Sequence, residues 1–320
     1  MMKLAFTKVL LSMIFVIGVL LIIGTLYQWI GINMGTKNYK PVGQIVKIHG
    51  NKMHLYTEGK GDTTVVFASG WGTVQPYVDY YPLFSKLSID TKIAVYDRFG
   101  YGFSDLTNRE RDIDSIVEEV HELLKKSNQN PPYIFVGHSL GSLETIRFAQ
   151  KYPDEVKGIV LLDGGTPEYY EKAPLLTSIS YIQRFIVKTG IVRILTKSNR
   201  FMDELYNERN GLKFIPEPLR ELDRKATVMI ANNRNITDEM RQSRNNAKKV
   251  INGPKPLNIP IIALTAGSFG SADKNWLSSQ QEWKIWSTDV TQIVVEDANH
   301  YIHQYQPELV VEKIKKLIGK

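Results

Sequence analysis

The 320-residue chain contains no cysteine, which excludes a disulfide framework, thiolate metal ligation and a cysteine nucleophile. Alanine is missing between Ala5 and Ala68, so the small-residue A-x-A site at which a secretory leader is cut is absent as well. None of the 22 residues from Val9 to Ile30 is charged. At about 1.5 Å per residue a helix of that length reaches roughly 33 Å, enough to cross a bilayer's hydrocarbon core, and the run exceeds the ~7–15 apolar residues of a cleaved leader. Tyr27 and Trp29 near its end suit a membrane interface. Residues 1–30 therefore read as an uncleaved, single-pass transmembrane anchor. Lys3 and Lys8 favour an inside N-terminus and an extracytoplasmic body, although Lys37, Lys40 and Lys47 blunt the contrast.

With 43% hydrophobic content, the remainder can bury one large core plus an insertion. Two alternating runs joined at Gly50-Asn51 predict a hairpin. Thr63–Ala68, Lys92–Asp97, Tyr133–Gly137, Gly158–Asp163, Ile259–Ala266 and Gln292–Val295 predict further strands, with helices such as Asp112–Lys126 and Pro307–Ile318 between or after them. Alternating strands and helices predict a mostly parallel sheet with helices on both faces and ligands at the carboxyl ends of the strands. Residues 31–163 and 258–320 form this core, and 164–257 read as a helical cap, with helices over Leu175–Leu195 and Ile215–Asn232 and an aromatic-rich helix over Trp276–Trp286 later in the core. Gly164–Pro260 holds 17 Lys+Arg against 10 Asp+Glu, so the whole net charge of +7 belongs to the insertion. No nucleic-acid motif accompanies it; over an active-site edge it would meet an anionic substrate or lipid headgroups.

The chemistry centres on Tyr133–Ser142, YIFVGHSLGS. An apolar run, then Gly137-His138-Ser139-Leu140-Gly141, then a helix-compatible stretch, predicts a sharp strand-to-helix turn with the Ser139 hydroxyl exposed. The Leu140 N–H at the helix start suits a developing negative charge. Ser69-Gly70-Trp71-Gly72, after an earlier strand, offers the Trp71 N–H as a second donor. A serine nucleophile needs a base, and the base needs an orienting acid. Of six histidines, His300 lies in a loop after the last strand, with His303 as its fallback. His49 and His54 read as strand decoration, and His121 as a solvated helix position. The acid is either Asp163, ending a strand, or Asp273, in the loop after the following strand; both keep the order Ser, Asp, His.

Together, Gly137-His138-Ser139-Leu140-Gly141, Ser69-Gly70-Trp71-Gly72, Asp97-Arg98-Phe99-Gly100-Tyr101-Gly102 and Asn299-His300 resemble the α/β-hydrolase superfamily over about Gly43–Lys320. The resemblance implies that fold, a nucleophilic Ser139, His300 as base, an oxyanion hole from the Trp71 and Leu140 amides, a variable lid, and no cofactor. Serine at the elbow disfavours the aspartate-nucleophile dehalogenases and epoxide hydrolases. The expected activity is cleavage of a small or lipid-like carboxylic ester, with peptidase, lactonase and perhydrolase chemistry and an inactive binding module as alternatives. In the common pattern the acid follows the strand ending at Ala266 as Gly-x-x-Asp; Gly270 stands there instead, which favours Asp163. Ser142 and Glu144 occupy helix positions that are usually small or apolar.

Overall fold

A computed structural model describes residues 2–35, 39–268 and 274–319. Its centre is an eight-stranded sheet in the order β1-β2-β4-β3-β5-β6-β7-β8: β1 Gln44–Ile48, β2 Asn51–Glu58, β3 Thr64–Ala68, β4 Lys92–Asp97, β5 Tyr133–His138, β6 Val156–Leu162, β7 Leu257–Ala266 and β8 Ser287–Val295. The β1–β2 and β2–β4 pairs are antiparallel and the rest parallel.

Strands β3 and β5 are buried along their whole length, as expected where helices cover both faces of a parallel sheet. Alternate residues divide between two cores. Val66, Tyr96, Phe135, Ile159 and Leu161 face one side, with the helix Ile113–Lys126 and the helix Gly141–Lys151 packed over them. Val65, Phe67, Val95, Ile134 and Val160 face the other, with the helices Tyr81–Leu87 and Pro307–Ile318. The Ile113–Lys126 helix begins where the Asp112 carboxylate accepts from the Asp114 and Ser115 N–H groups, satisfying donors that a helix start otherwise leaves orphaned.

Between β6 and β7 lie the helices Pro167–Lys172, Thr177–Lys188, Ile191–Leu195, Asn199–Asn207, Glu217–Ile230 and Arg234–Ile251. Met202, Tyr206, Leu212 and Ile215 join one core and Ala247 and Val250 the other, so these helices share the hydrophobic interior of the sheet. The N-terminal helix, Met2–Gly35, contains a segment from Phe6 to Gly35 long and apolar enough to span a membrane, its most apolar stretch left unburied by the rest of the chain.

Several boundaries differ from the sequence expectation for local reasons. The hairpin turns at His49 and Gly50, both with positive φ (45° and 86°), and Asn51 already pairs with Ile48; two left-handed residues match the strand twist of a two-residue loop. The expected helix over Leu175–Leu195 breaks at Gly190, whose φ is 74°. The expected helix over Trp276–Trp286 is an α-helical Lys274–Ser279 followed by a 3₁₀ turn over Gln280–Ile285. The helix Arg234–Ile251 was not anticipated. Its buried face carries Asn235, Thr237, Glu239, Gln242, Ser243 and Asn246, so the apolar periodicity that betrays a helix is muted.

A β-carbon on Gly141 would lie 2.6 Å from the Ala68 carbonyl oxygen and 2.8 Å from that of Ser69, backbone that cannot yield without moving β3. Gly141→Ala is therefore expected to destabilise the protein by about 2–3 kcal/mol, measurable as a lowered urea midpoint of the full chain in detergent.

Candidate active site

Three chain segments meet at the carboxyl edge of the sheet. Ser139 follows β5 directly with φ 51°, a left-handed conformation that a non-glycine residue keeps only when its surroundings impose it. Here the Ser139 N–H donates to the Leu162 carbonyl on β6 at 3.3 Å, and the Ser142 N–H donates back to the Ser139 carbonyl at 3.0 Å. Gly137 sits where a Cβ would come within 2.8 Å of the Thr145 methyl carbon. The turn thus closes onto its own helix.

Asp163 follows β6, fully buried and also left-handed, with φ 44°. Its Oδ2 lies 2.6 Å from His300 Nδ1. Its Oδ1 accepts from the Ala266 N–H and from the Trp276 indole N–H, each at 3.0 Å. Three donors fix the carboxylate, and with Nδ1–H committed to Asp163 the neutral His300 ring keeps its lone pair on Nε2. His138 lies alongside, its ring centroid 4.7 Å from that of His300, and its Nε2–H donates to the His300 carbonyl at 3.1 Å. Burial, together with the neighbouring His300 and His303, holds the His138 pKa well below its usual value, so it acts as a neutral strut under the His300 turn.

Ser139, His300, Trp71 and Leu140 line one pocket of about 290 Å³, whose far walls come from Tyr169–Leu176 and from Met240 and Ser243. Among the described residues, neither the Trp71 nor the Leu140 backbone N–H finds an acceptor, and both residues line the pocket. The Trp71 indole N–H donates to the Ile236 carbonyl at 2.9 Å, tying the loop after β3 to the helix Arg234–Ile251. The Tyr170 hydroxyl is buried without a hydrogen-bond partner; burial pushes its pKa up, and Ser139 and the Gly165 backbone are the polar groups facing it.

Behind the pocket the buried Arg98 guanidinium donates from Nη1 to the Ser69 carbonyl (2.8 Å) and from Nη2 to the Gly70 carbonyl (3.2 Å). It pairs with Glu144 on the Gly141–Lys151 helix and with Glu239 on the Arg234–Ile251 helix, each at 3.1 Å. The Tyr96 hydroxyl donates to Glu144, and the Tyr101 hydroxyl to Glu239 at 2.5 Å. Burial raises the Glu144 pKa against the opposing pull of Arg98 and Tyr96. The unusual glutamate in the serine helix is thus the core end of an ion-pair network that reaches into the inserted helices.

The remaining histidines are engaged elsewhere. His303 is buried with Nε2 2.9 Å from Asp79 Oδ2 and does not line the pocket. His54 lies between Asp97 (2.7 Å) and the Val42 carbonyl (2.6 Å). His49 pairs with Glu122. His121 pairs with Glu155 and stacks on Tyr152 with centroids 3.7 Å apart, so it is a partly covered interhelix contact and not the solvated position expected. Asp273 and Gly270 lie outside the described residues. Sequence reasoning passed over Trp276, Arg98, Glu239 and Tyr170; only Arg98, inside the quoted Asp97–Gly102 loop, and Glu144, out of pattern in its helix, carried a signal.

The α/β-hydrolase fold model matches residues 63–189. The chain is 30% identical over 300 residues to the Bacillus subtilis protein YbdG, covering 92% of this chain and 91% of that one. It is 27% identical to the pimeloyl-[acyl-carrier protein] methyl ester esterase of Shewanella woodyi over 35% of this chain and 40% of the esterase. The bromoperoxidase of Bacillus anthracis superimposes with a TM-score of 0.68 at 16% identity, covering 87% of this chain and all of that one.

Removing the cation from the Arg98 network strands two buried carboxylates. Arg98→Met is expected to lose about 3–5 kcal/mol of stability, whereas Arg98→Met combined with Glu144→Gln and Glu239→Gln recovers most of it, because the stranded charges go with the cation. Urea unfolding of the two proteins side by side measures the difference.

Proposed function

Because the chain belongs to the α/β-hydrolase family, we propose that it is a membrane-anchored serine hydrolase that cleaves a carboxylic ester, with Ser139 as nucleophile, His300 as base and Asp163 as the orienting acid. The observation that carries this reading is the 2.6 Å contact between His300 Nδ1 and Asp163 Oδ2 in the wall of a pocket that also holds Ser139. A serine hydroxyl is unreactive at neutral pH unless a base takes its proton as it attacks.

His300 Nε2 accepts the Ser139 proton as Oγ adds to the ester carbonyl. The carbonyl oxygen becomes an oxyanion held by the Trp71 and Leu140 amides, whose direction is set before substrate arrives because Arg98 grips the carbonyls of the first loop. His300 then returns the proton to the departing alkoxide. Water, deprotonated by the same nitrogen, adds to the acyl carbonyl; the bond to Ser139 Oγ breaks, His300 returns the proton to Oγ, and the acid is freed. Asp163 stays ionised throughout, stabilising the imidazolium while Ala266 and Trp276 hold it in place. The aromatic and aliphatic wall contributed by Trp71, Tyr169, Leu176 and Met240 suits an acyl chain or another apolar acid part. The helix Met2–Gly35 is the anchor, and Lys3 and Lys8 ahead of its apolar run favour a body on the extracytoplasmic side.

The full chain in detergent is expected to hydrolyse p-nitrophenyl esters and to take up a fluorophosphonate at Ser139. Ser139→Ala should abolish labelling and lower kcat by about 10⁶, and Asp163→Asn should lower kcat by about 10⁴. Asp273→Asn should leave it unchanged. Retained turnover in Asp163→Asn together with loss in Asp273→Asn would move the acid to the later loop. A wild type that neither labels nor turns over any ester would be a hydrolase-like binding module. Trp276→Phe deletes one of the three donors on Asp163, a bond to a charged group worth about 1.5–3 kcal/mol; kcat is expected to fall about tenfold or more with KM little changed.

A further inference from the structure

The helix Thr177–Lys188 presents Ile179, Tyr181, Ile182 and Phe185 to solvent, each at least half exposed (50%, 51%, 60% and 55%). Ile194, in the short helix that follows Gly190, is 57% exposed. A soluble protein seldom leaves so many large apolar side chains together unless something covers them. The turn that follows this helix lies against the N-terminal helix. A Cβ at Gly24 would collide with the Thr189 carbonyl oxygen, and one at Gly190 would fall 2.6 Å from the Gly24 carbonyl oxygen; glycine at both positions lets the turn between the two lid helices lie directly on the apolar helix. Gln28 extends the contact, donating to the Val228 carbonyl at 2.8 Å and accepting from Arg193 Nε at 2.7 Å.

The depth of that contact identifies the covering surface. Gly24 lies roughly 5–8 Å before Tyr27 and Trp29 at about 1.5 Å per residue. Those two rings mark the level at which headgroups meet acyl chains. Lys188 and Arg193 come from the same lid segment and Lys197 follows it, with Lys197 Nζ 5.4 Å from the Tyr27 ring centroid. An apolar helix face edged by cations, held at interface depth, has the composition of a helix lying in the plane of an anionic membrane. Leu176, which precedes the Thr177–Lys188 helix and is 40% exposed, also lines the active-site pocket, so the pocket's edge is continuous with this face.

We propose that the lid segment Leu176–Leu195 docks on the bilayer that the N-terminal helix enters, and that the pocket takes its acyl-chain ester directly from that bilayer. The proposal rests on the anchored-hydrolase reading. A phospholipid surface is its occupant, because the face is continuous with the one helix of the described residues that is fit to span a membrane.

The cysteine-free sequence allows a unique fluorophore at each position tested. The full chain carrying Ile17→Cys, Ile182→Cys, Ile194→Cys or Ile89→Cys is labelled with an environment-sensitive nitrobenzoxadiazole and reconstituted in phosphatidylcholine–phosphatidylglycerol vesicles with or without doxyl-labelled lipid. Ile89, 82% exposed on the core, is the aqueous reference. Blue-shifted emission and doxyl quenching at Ile17, Ile182 and Ile194, but not at Ile89, is the expected result. Quenching at Ile17 with Ile182 and Ile194 behaving like Ile89 overturns the docking and leaves the anchor standing; no quenching at Ile17 overturns both. A blue shift at Ile182 without doxyl quenching means that protein, such as a second copy of the chain, covers the face, and also overturns the proposal. In a second measurement, Ile182→Glu with Phe185→Glu is expected to lower turnover of a vesicle-borne long-chain ester about tenfold while a soluble short-chain ester is hydrolysed as before. Equal effects on both esters, or on neither, contradict it.

Discussion

One guanidinium holds the two halves of this molecule in register. Arg98 is buried, and four groups surround its nitrogens: two carbonyls from the loop after β3, a carboxylate from the serine helix and a carboxylate from an inserted helix. A buried cation is costly unless its charge is balanced and hydrogen-bonded. Nε has no partner among the described residues, so the balance rests on Nη1 and Nη2, and each of those elements is restricted to positions that keep these two nitrogens bonded. The loop bearing Trp71 cannot drift from the serine helix without breaking bonds in a medium where no water replaces them. The pocket is consequently shaped by a group that lines none of it, and the same group makes the insertion a participant in the site's geometry.

A second buried pair acts in the same sense on the other core. Arg209, between the inserted helices, reaches Asp79 at 3.0 Å and Asp223 at 2.9 Å; burial would raise the Asp79 pKa, yet His303 and Arg209 hold it well below the usual carboxylate range. With Arg98–Glu239 on one side and Arg209–Asp79 on the other, the insertion is fastened to the sheet at two desolvated points. The stretch Ala173–Leu176 contributes pocket wall between short helices and has no such fastening to the core among the ion pairs of the described residues.

What could be read from the sequence follows from how each feature is encoded. The strand, turn and helix around Ser139 are local: spaced glycines and an apolar run announce them, and the close approaches at Gly137 and Gly141 are the physical reason for the spacing. The helix Arg234–Ile251 is encoded by what it touches. Asn235 hydrogen-bonds the Thr107 backbone through its own side chain, Asn246 does the same at Arg111 and Ile113, and Glu239 meets Arg98. Its buried face is polar because its partners are polar, and a search for apolar periodicity passes over it. Glu144 stood out as an anomaly in its helix, but its partner is 46 residues away, and no local pattern names it. Trp276 was legible as an aromatic and illegible as a donor to Asp163, since the contact spans 113 residues.

The position of Asp163, the acid of the proposed mechanism, illustrates what the sheet itself permits. Parallel strands lie about 4.8 Å apart, so the carboxyl ends of β6 and β7 are neighbours, and an aspartate leaving either one starts within a side chain's length of the same histidine. The choice between them is then made by the surroundings. After β6, Asp163 finds the Ala266 N–H at the end of β7 and the indole of Trp276 beyond it, so the strand that would have supplied the acid in the commoner pattern supplies its hydrogen bonds instead. A carboxylate held by two donors presents its remaining oxygen in one direction, and a left-handed φ at Asp163 aims it there.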